Sequence, residues 1–428
     1  HLGIKVGQRV LVPFGRQSLI GIIVGISNET EHNASKMKAA LEIIDDEATF
    51  DQEQIALLDW ASQYYLHPQG DVYSVALPGI LRSNKTIASL NPQVLAKAAT
   101  FPSLVDIPKN AKQLIKLHAL LESQNYSREQ LKEQDIASTT IKKFVDREWA
   151  EWTFEAIKNK PVNAEQISDG LPLNPEQAIA VAAINATDAH QCFLLDGVTG
   201  SGKTEVYLQV IAEQLLKQNQ VLVCVPEIGL TPQTIARFKQ RFDVNIAVWH
   251  SAMTDTQRGQ TWRQVRSGEA RIIIATRSGI FLPFDALGMI IIDEEHDSSF
   301  KQQDGFKYHC RSLALYRANR LQIPVVLGSA TPSLESLQNA ESGKFSLLKL
   351  NKRAGNAKLP IKHLLDLNRC QQQGALGQPL LDAMAEQLKL GRQVMLFINR
   401  RGFAPVLMCE ECHWLTECAR CSSFTTYH

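Results

Sequence analysis

Eight consecutive residues, Gly197, Val198, Thr199, Gly200, Ser201, Gly202, Lys203 and Thr204, fit the spacing G-x-x-x-x-G-K-[ST]. Glycines at these positions let backbone N–H groups turn inward around a phosphate chain. Lys203 is then placed for the β and γ oxygens, and Thr204 for magnesium. A second acidic group, Asp293-Glu294-Glu295-His296, follows the apolar run Met289-Ile290-Ile291-Ile292. A carboxylate at the C-terminal edge of a parallel strand faces the crevice that holds the phosphates. Asp293 is therefore expected to hold magnesium, and Glu294 to polarise the attacking water. The bland alternatives are a glycine-rich turn and acidic loop residues. The strand-like CFLLD before the loop and the helix-like KTEVYLQVIAEQLL after it favour a nucleoside triphosphate site that takes ATP and Mg2+.

Four further groups extend the pattern. Gln177, in Asn174-Pro175-Glu176-Gln177, lies upstream of the loop, where a glutamine can read an adenine edge. Gly328-Ser329-Ala330-Thr331 closes the last strand-like run, so Ser329 and Thr331 are expected, with His296, to couple nucleotide to the far side of the lobe. Arg277, in Thr276-Arg277-Ser278-Gly279, could hold a nucleic-acid phosphate. Each of these alone also reads as a cap, turn or loop; their order is what points to a motor ATPase. Between Ser298 and Arg311, the aromatics Phe300, Phe306 and Tyr308 alternate with Lys301, Lys307 and Arg311. Aromatics stack bases and cations track phosphates, although an aromatic cluster packed beneath a loop remains an open alternative.

Cys409, Cys412, Cys418 and Cys421 have the spacing C-x2-C-x5-C-x2-C. Such thiolates suit Zn2+, with reduced structural cysteines as the alternative. Cys192 and Cys224 sit in apolar runs, where cysteine usually serves as a small buried hydrophobe.

The scaffold needed to position these groups is legible in outline. A chain of 428 residues, 44% hydrophobic, can form about two to four domains. Its net charge of +1 gives no support to a globally basic nucleic-acid binder, so any such contact must be local. No apolar run reaches about 18 residues, so no membrane span is expected, and the cytoplasm is the expected compartment. The first residue is His1, and no charged-then-apolar leader follows, so the N-terminus is expected to be trimmed.

From 171 onward, apolar runs CFLL, VLVCVP, RIIIAT, MIIIDE and PVVLGSAT alternate with helix-like stretches. The expected fold class is multidomain α/β around a parallel-sheet lobe at 171–350. Two of these runs lie between the phosphate loop and the acidic group, as in ATPases whose sheet has a strand inserted between the two motifs. A β-rich segment over 1–82 and a connection over 83–108 precede it. Residues 109–156 carry short amphipathic helices, with Ser127 opening a capping box, and suit a winged helix or a plain helical linker equally. Residues 155–170 read as loop. The segment 351–428 reads as the start of a second α/β lobe, with helix LLDAMAEQLKL and strand QVMLFIN, stopping before that lobe is complete.

The order GVTGSGKTEVYL, VPEIGLTPQT, HSAMTDTQR, ATRSGIFLPF, IIIDEEHDSSFKQQDGFKYHCR, GSATPSLES, KRAGNA and FINRRGFAP resembles the PriA (primosomal protein N′) family of bacterial replication-restart helicases in superfamily 2. The resemblance implies a RecA-like helicase lobe and 3′-to-5′ DNA unwinding powered by ATP. It also implies recognition of abandoned forks with a nascent 3′ end, and action with single-stranded DNA-binding protein and other primosome proteins, by a monomer. It assigns coupling to His296 and an aromatic-rich loop to Phe300–Arg311. Gly15 in VPFG and Lys38 in KAALEIID would line a pocket for the 3′ end, and residues 109–154 would be a winged helix. It further implies two zinc ions held with CxxC pairs beyond His428, and a later arginine motif on the second lobe. By itself, then, this chain is expected to bind ATP weakly and hydrolyse it poorly. Another superfamily-2 translocase, or a fork-binding assembly platform with a secondary ATPase, is the alternative.

Overall fold

Arg9–Phe14 (β1) and Gln17–Ile22 (β2) pair antiparallel across a two-residue turn, in which Gly15 takes the left-handed φ of 59° that such a turn demands. The computed structural model describes residues 3–29, 33, 37–108, 110–155, 161–187, 189–353, 361–374, 376–397, 412, 414 and 415. Glu42–Ile43 (β3) joins the other side of β1. Chain direction then places Lys38, which is exposed, toward the Gly15 end of this sheet. Gln52–Tyr64 (α1), capped by Asp51, and Gln69–Ala76 (α2) follow.

Arg9 is fully buried and forks onto Asp45 at 2.6 and 2.8 Å. It also donates to the carbonyls of Leu81, Ser83 and Lys85, so one guanidinium ties the sheet to the chain beyond α2. Leu57, Leu58, Ala61 and Val72 bury in the same core as residues of the later parallel sheet. The 1–82 segment thus has its own sheet but shares its helical core with the parallel-sheet lobe.

Residues 83–108, expected as a connection, contain Gln93–Lys97 (β4), the central strand of a three-stranded sheet. Its adjacent, buried Val94 and Leu95 lie in a segment otherwise rich in Ser, Asn and Pro, which masks the strand from a composition reading. Lys112–Ser123 (α3), Tyr126–Ser127 (β5), Arg128–Glu133 (α4), Ser138–Asp146 (α5) and Ala150–Phe154 (β6) complete a separate core around Leu95, Leu117, Leu131 and Phe144. Three helices against a three-stranded sheet form a winged-helix arrangement rather than a helical linker. Ser127 and Gln130 close the expected capping box.

The parallel-sheet lobe comprises Pro175–Asn185 (α6), Cys192–Gly197 (β7), Lys203–Leu216 (α7), Gln220–Cys224 (β8), Pro232–Arg241 (α8), Ile246–Trp249 (β9), Asp255–Arg266 (α9), Ile272–Ala275 (β10), Leu287–Asp293 (β11), Cys310–Leu321 (α10), Val325–Ser329 (β12), Leu334–Glu341 (α11) and Ser346–Leu350 (β13). The strands run parallel in the order β13-β7-β12-β11-β8-β10-β9. The strand inserted between the phosphate-loop strand and the acidic strand is β12. The inner strands are buried on both faces, which explains their near-continuous apolar runs. Sequence reading missed β9 and β13 because both are edge strands whose burial alternates.

The chain divides after Ala357, and Lys358–His428 forms a second unit. There Gln372–Gln373 (β14) pairs with Leu376–Gly377 (β15), and Gln378–Lys389 (α12) follows. The helix expected over LLDAMAEQLKL is present. The described part of the expected strand QVMLFIN, residues 393–397, is not a strand. No neighbouring strand among the described residues of this unit offers its backbone partners, and a lone extended segment gains no ladder.

Candidate nucleotide site and the loops joined to it

The phosphate loop is shaped by two left-handed glycines, Gly200 at φ 79° and Gly202 at φ 83°. Gly197 is required for a different reason: a Cβ there would lie 2.6 Å from Ser201 Oγ. The loop hangs between β7 and β13, since Val198 N donates to Leu350 O at 3.1 Å. Lys203 Nζ folds back to Gly197 O at 2.9 Å, and Ser201 Oγ is buried with no hydrogen-bond partner among the described residues. An inward-turned amide loop, a lysine parked on its rim and an unpartnered buried hydroxyl fit a polyphosphate.

Thr199, Thr204, Asp293 and Glu294 line one cleft of about 670 Å³ with that loop. Burial raises the Asp293 carboxyl above its ordinary range and Glu294 adds to the effect, while Tyr207 and Lys203 oppose it. A buried carboxylate in such a setting gains from a cation, and the residues present fit Mg2+ beside a triphosphate. Glu294 adopts a left-handed φ of 49°, an uncommon conformation for a side chain with a Cβ, at the strand end that aims it into the cleft. Arg237 and Arg241 of α8 line the same cleft. Arg241 is 9% exposed, and its Nε and Nη1 lack partners among the described residues, so its donors are available to a ligand. No motif flagged either arginine; only the strongly amphipathic PQTIARFKQR hinted at a polar face.

Gln177 does not have a free amide for adenine. Its Oε1 accepts from Asn174 N at 2.9 Å, closing a capping box, and its Nε2 donates to Ser201 O at 2.9 Å. The side chain, 4% exposed, tethers α6 to the phosphate loop instead.

His296 connects the acidic group to Gly328-Ser329-Ala330-Thr331. Its Nδ1 lies 2.7 Å from Ser329 Oγ and its Nε2 3.4 Å from Thr331 Oγ1, while Glu294 Oε2 sits 3.7 Å away. Glu295, unremarked as a separate residue in the sequence, is fully buried. It accepts from Ser333 N at 2.7 Å, from Ser336 Oγ at 3.0 Å and from Arg311.

The loop after the acidic group departs from expectation. Phe300, Phe306 and Tyr308 are 0%, 3% and 2% exposed and pack with Phe281 and Tyr65, so they form a cluster under the loop rather than an open stacking platform. They lie over the helical core shared with α1, where burying three rings outweighs presenting them to water. Arg277 is likewise engaged: it donates to Gln302 Oε1 at 2.5 Å and to Ser299 O at 3.0 Å. Arg311 is committed to Glu295, Ser333 and Glu335. Lys307 is exposed, and Lys301 is partly so, with its Nζ 2.9 Å from Lys307 O. Gly15 lies in the turn between β1 and β2, and Lys38 in the irregular chain before β3. Cys412 is exposed, and Cys409, Cys418 and Cys421 lie outside the described residues.

Two family models match the chain: a 3′DNA-binding domain over residues 1–78 and a DEAD/DEAH box helicase over residues 174–340. The replication restart protein PriA of Haemophilus influenzae is 42% identical across 100% of this chain and 59% of its own length. That of Bacillus subtilis is 32% identical across 99% of the chain and 62% of its own length. That of Chlamydia trachomatis is 34% identical across 99% of the chain and 59% of its own length. The chain thus spans about three-fifths of the length of these relatives. A 3′DNA-binding segment joined to a helicase lobe, with similarity running the whole length of the chain, places it in the PriA family of replication restart proteins.

Proposed function

We propose that the chain belongs to an ATP-dependent 3′-to-5′ DNA helicase that recognises stalled forks and starts primosome assembly for replication restart. One observation carries the motor reading. The residues that face the nucleotide cleft, Asp293 and Glu294, are continuous with Glu295 and His296, which are bonded to Arg311 and to Ser329 and Thr331. A change at the phosphates therefore meets the loop 298–311 within a few bonds, as a machine that spends ATP on movement requires.

In this reading Gly197–Thr204 cradle ATP, Lys203 meets its outer phosphates, and Thr204 and Asp293 hold Mg2+. The metal would neutralise charge on the phosphates. Glu294 orients water, and Arg237 and Arg241 add positive charge along the cleft. His296, Ser329 and Thr331 couple the cleft to the lobe's far edge. Lys301 and Lys307 offer phosphate contacts, whereas Phe300, Phe306, Tyr308, Arg277 and Arg311 form the frame beneath them. Opening of that frame would be needed before the rings could stack on bases. Gly15 and Lys38 take the nascent 3′ end, a role that the 3′DNA-binding match over residues 1–78 supports. Cys409, Cys412, Cys418 and Cys421 provide thiolates of the kind zinc takes, and we assign them to Zn2+. Single-stranded DNA-binding protein and primosome proteins are the proposed partners of a monomer in the cytoplasm. No helix among the described residues is long and apolar enough to cross a membrane.

Strand displacement on forks with and without a free 3′ end at the branch tests the proposal in a full-length relative-sized chain. Unwinding should prefer the fork with the 3′ end and vanish in Lys203→Ala. Fork restart that survives Lys203→Ala would instead favour an assembly platform.

A further inference from the structure

Tyr207 is fully buried one helical turn beyond Lys203, on the same face of α7. Its hydroxyl donates to Asp293 Oδ1 at 2.9 Å. To get there it crosses β12 at Gly328, the residue paired with Asp293 across the strands. A Cβ on Gly328 would lie 1.6 Å from the Tyr207 hydroxyl oxygen and 2.8 Å from Cζ. The absence of a side chain at 328 is therefore what opens the passage between helix and carboxylate. Gly328 is in a buried strand with no left-handed φ, so the close approach, not backbone freedom, is what requires glycine there.

From this geometry we infer that Tyr207 is a positioning residue for the Asp293 carboxylate, and that Gly328 is the gap that lets it act. The inference rests on the nucleotide-site reading above. By occupying Oδ1 from below, the hydroxyl fixes the carboxylate's rotation and leaves its remaining acceptor capacity to the cleft, where Thr204 also lies. Asp293 is then preorganised for a divalent cation before nucleotide arrives. A phenylalanine would fill the same volume but leave the carboxylate free to rotate. One turn of α7 thus serves phosphate through Lys203 and metal ligand through Tyr207.

The test uses the 428-residue chain and a fluorescent, non-hydrolysable ATP analogue, titrated in EDTA and then with Mg2+. Tyr207→Phe should bind the analogue in EDTA as the parent does, while the Mg2+ needed for half-maximal enhancement rises about tenfold, as the loss of a hydrogen bond to a charged group implies. Gly328→Ala should reproduce the Mg2+ defect and lower the thermal midpoint. That thermal loss should shrink in the Tyr207→Phe background, where the clashing oxygen is gone. An unchanged Mg2+ requirement in Tyr207→Phe, or equal losses with and without Mg2+, would overturn the inference and leave Tyr207 as packing only. Lys203→Ala separates the two readings: a parent that binds the analogue no better than Lys203→Ala refutes the nucleotide site itself, and with it the role given to Tyr207.

Discussion

Arg311 donates to the buried carboxylate of Glu295, and this single ion pair joins the first turn of α10 to the strand end that lines the phosphate-loop cleft. Ser333 and Ser336 complete the arrangement by donating to the same carboxylate, so the turn after β12 is held in the cluster too. Glu295 has no exposed surface and Arg311 little. Removing the cation strands a charge away from water. Arg311→Ala should therefore cost about 3–5 kcal/mol of stability. Urea unfolding would measure it. Arg311→Lys should recover only part, because a single ammonium cannot replace a guanidinium shared among Glu295, Ser333 and Glu335. A loss below about 1 kcal/mol for Arg311→Ala would mean that the serines alone satisfy the carboxylate.

The buried rings and the exposed lysine of the neighbouring loop predict opposite phenotypes. Phe306 packs against Tyr65, Phe281 and Tyr308, so Phe306→Ala should lose about 3–5 kcal/mol to transfer and cavity terms. Lys307→Ala should change stability by no more than about 0.5 kcal/mol. If Lys307 meets a DNA phosphate, its removal should weaken binding uniformly across sequences and flatten the dependence of log K on log salt by close to one unit. Stability curves and single-strand binding at several salt concentrations read the two effects separately. A fully stable Phe306→Ala would contradict its buried position.

Acidification should act through His309. Burial lowers its imidazole to about 4 from an ordinary 6.5, with Arg311 and Lys301 adding repulsion and Glu295 and Glu335 opposing. The unfolded chain takes up this proton near 6.5, and the folded chain only near 4. Between those values the unfolded state binds more protons, so stability rises with pH. The contribution is complete above about 6.5 and is lost as pH falls toward about 4. His309 Nδ1 also accepts from Arg311 N at 3.2 Å as the cap of α10. His309→Asn keeps a capping acceptor but cannot titrate, and its unfolding midpoint should fall less across this window than that of the parent. Identical pH profiles would remove His309 as the source.

How far the sequence spoke depended on whether a feature was written locally. The phosphate loop, the acidic strand end and the buried strands β7, β8, β10, β11 and β12 announce themselves, because glycine spacing and unbroken apolar runs are local signals. The edge strands β9 and β13 were not visible, since half-exposed alternation resembles loop. Strand β4 was hidden in a polar segment whose partners lie some thirty and more residues downstream, at Tyr126–Ser127 and Ala150–Phe154. The loop 298–311 is ambiguous in sequence for a related reason. Alternating aromatic and basic residues suit both a stacking platform and a buried cluster, and only the core supplied by α1 and α2 decides between them. Arg241 and Tyr207 belong to no short motif; each matters through a neighbour brought close by the fold.

Gln177 makes that distinction testable. A glutamine that reads adenine should, when removed, weaken ATP more than GTP, because its amide bonds distinguish the two bases. Here both amide atoms are already engaged, Oε1 with Asn174 N and Nε2 with Ser201 O. Gln177→Ala would release the phosphate loop from α6 and remove half of a capping box, at a cost of about 1 kcal/mol to the helix. The phosphates are common to every nucleoside triphosphate. Affinity for ATP and GTP should therefore fall in parallel, and Gln177→Glu, which keeps the acceptor for Asn174 N but loses the donor to Ser201, should show most of the same loss. Competition titrations with both nucleotides decide the matter: a selective loss of ATP would show that the amide leaves Ser201 for the base when nucleotide binds.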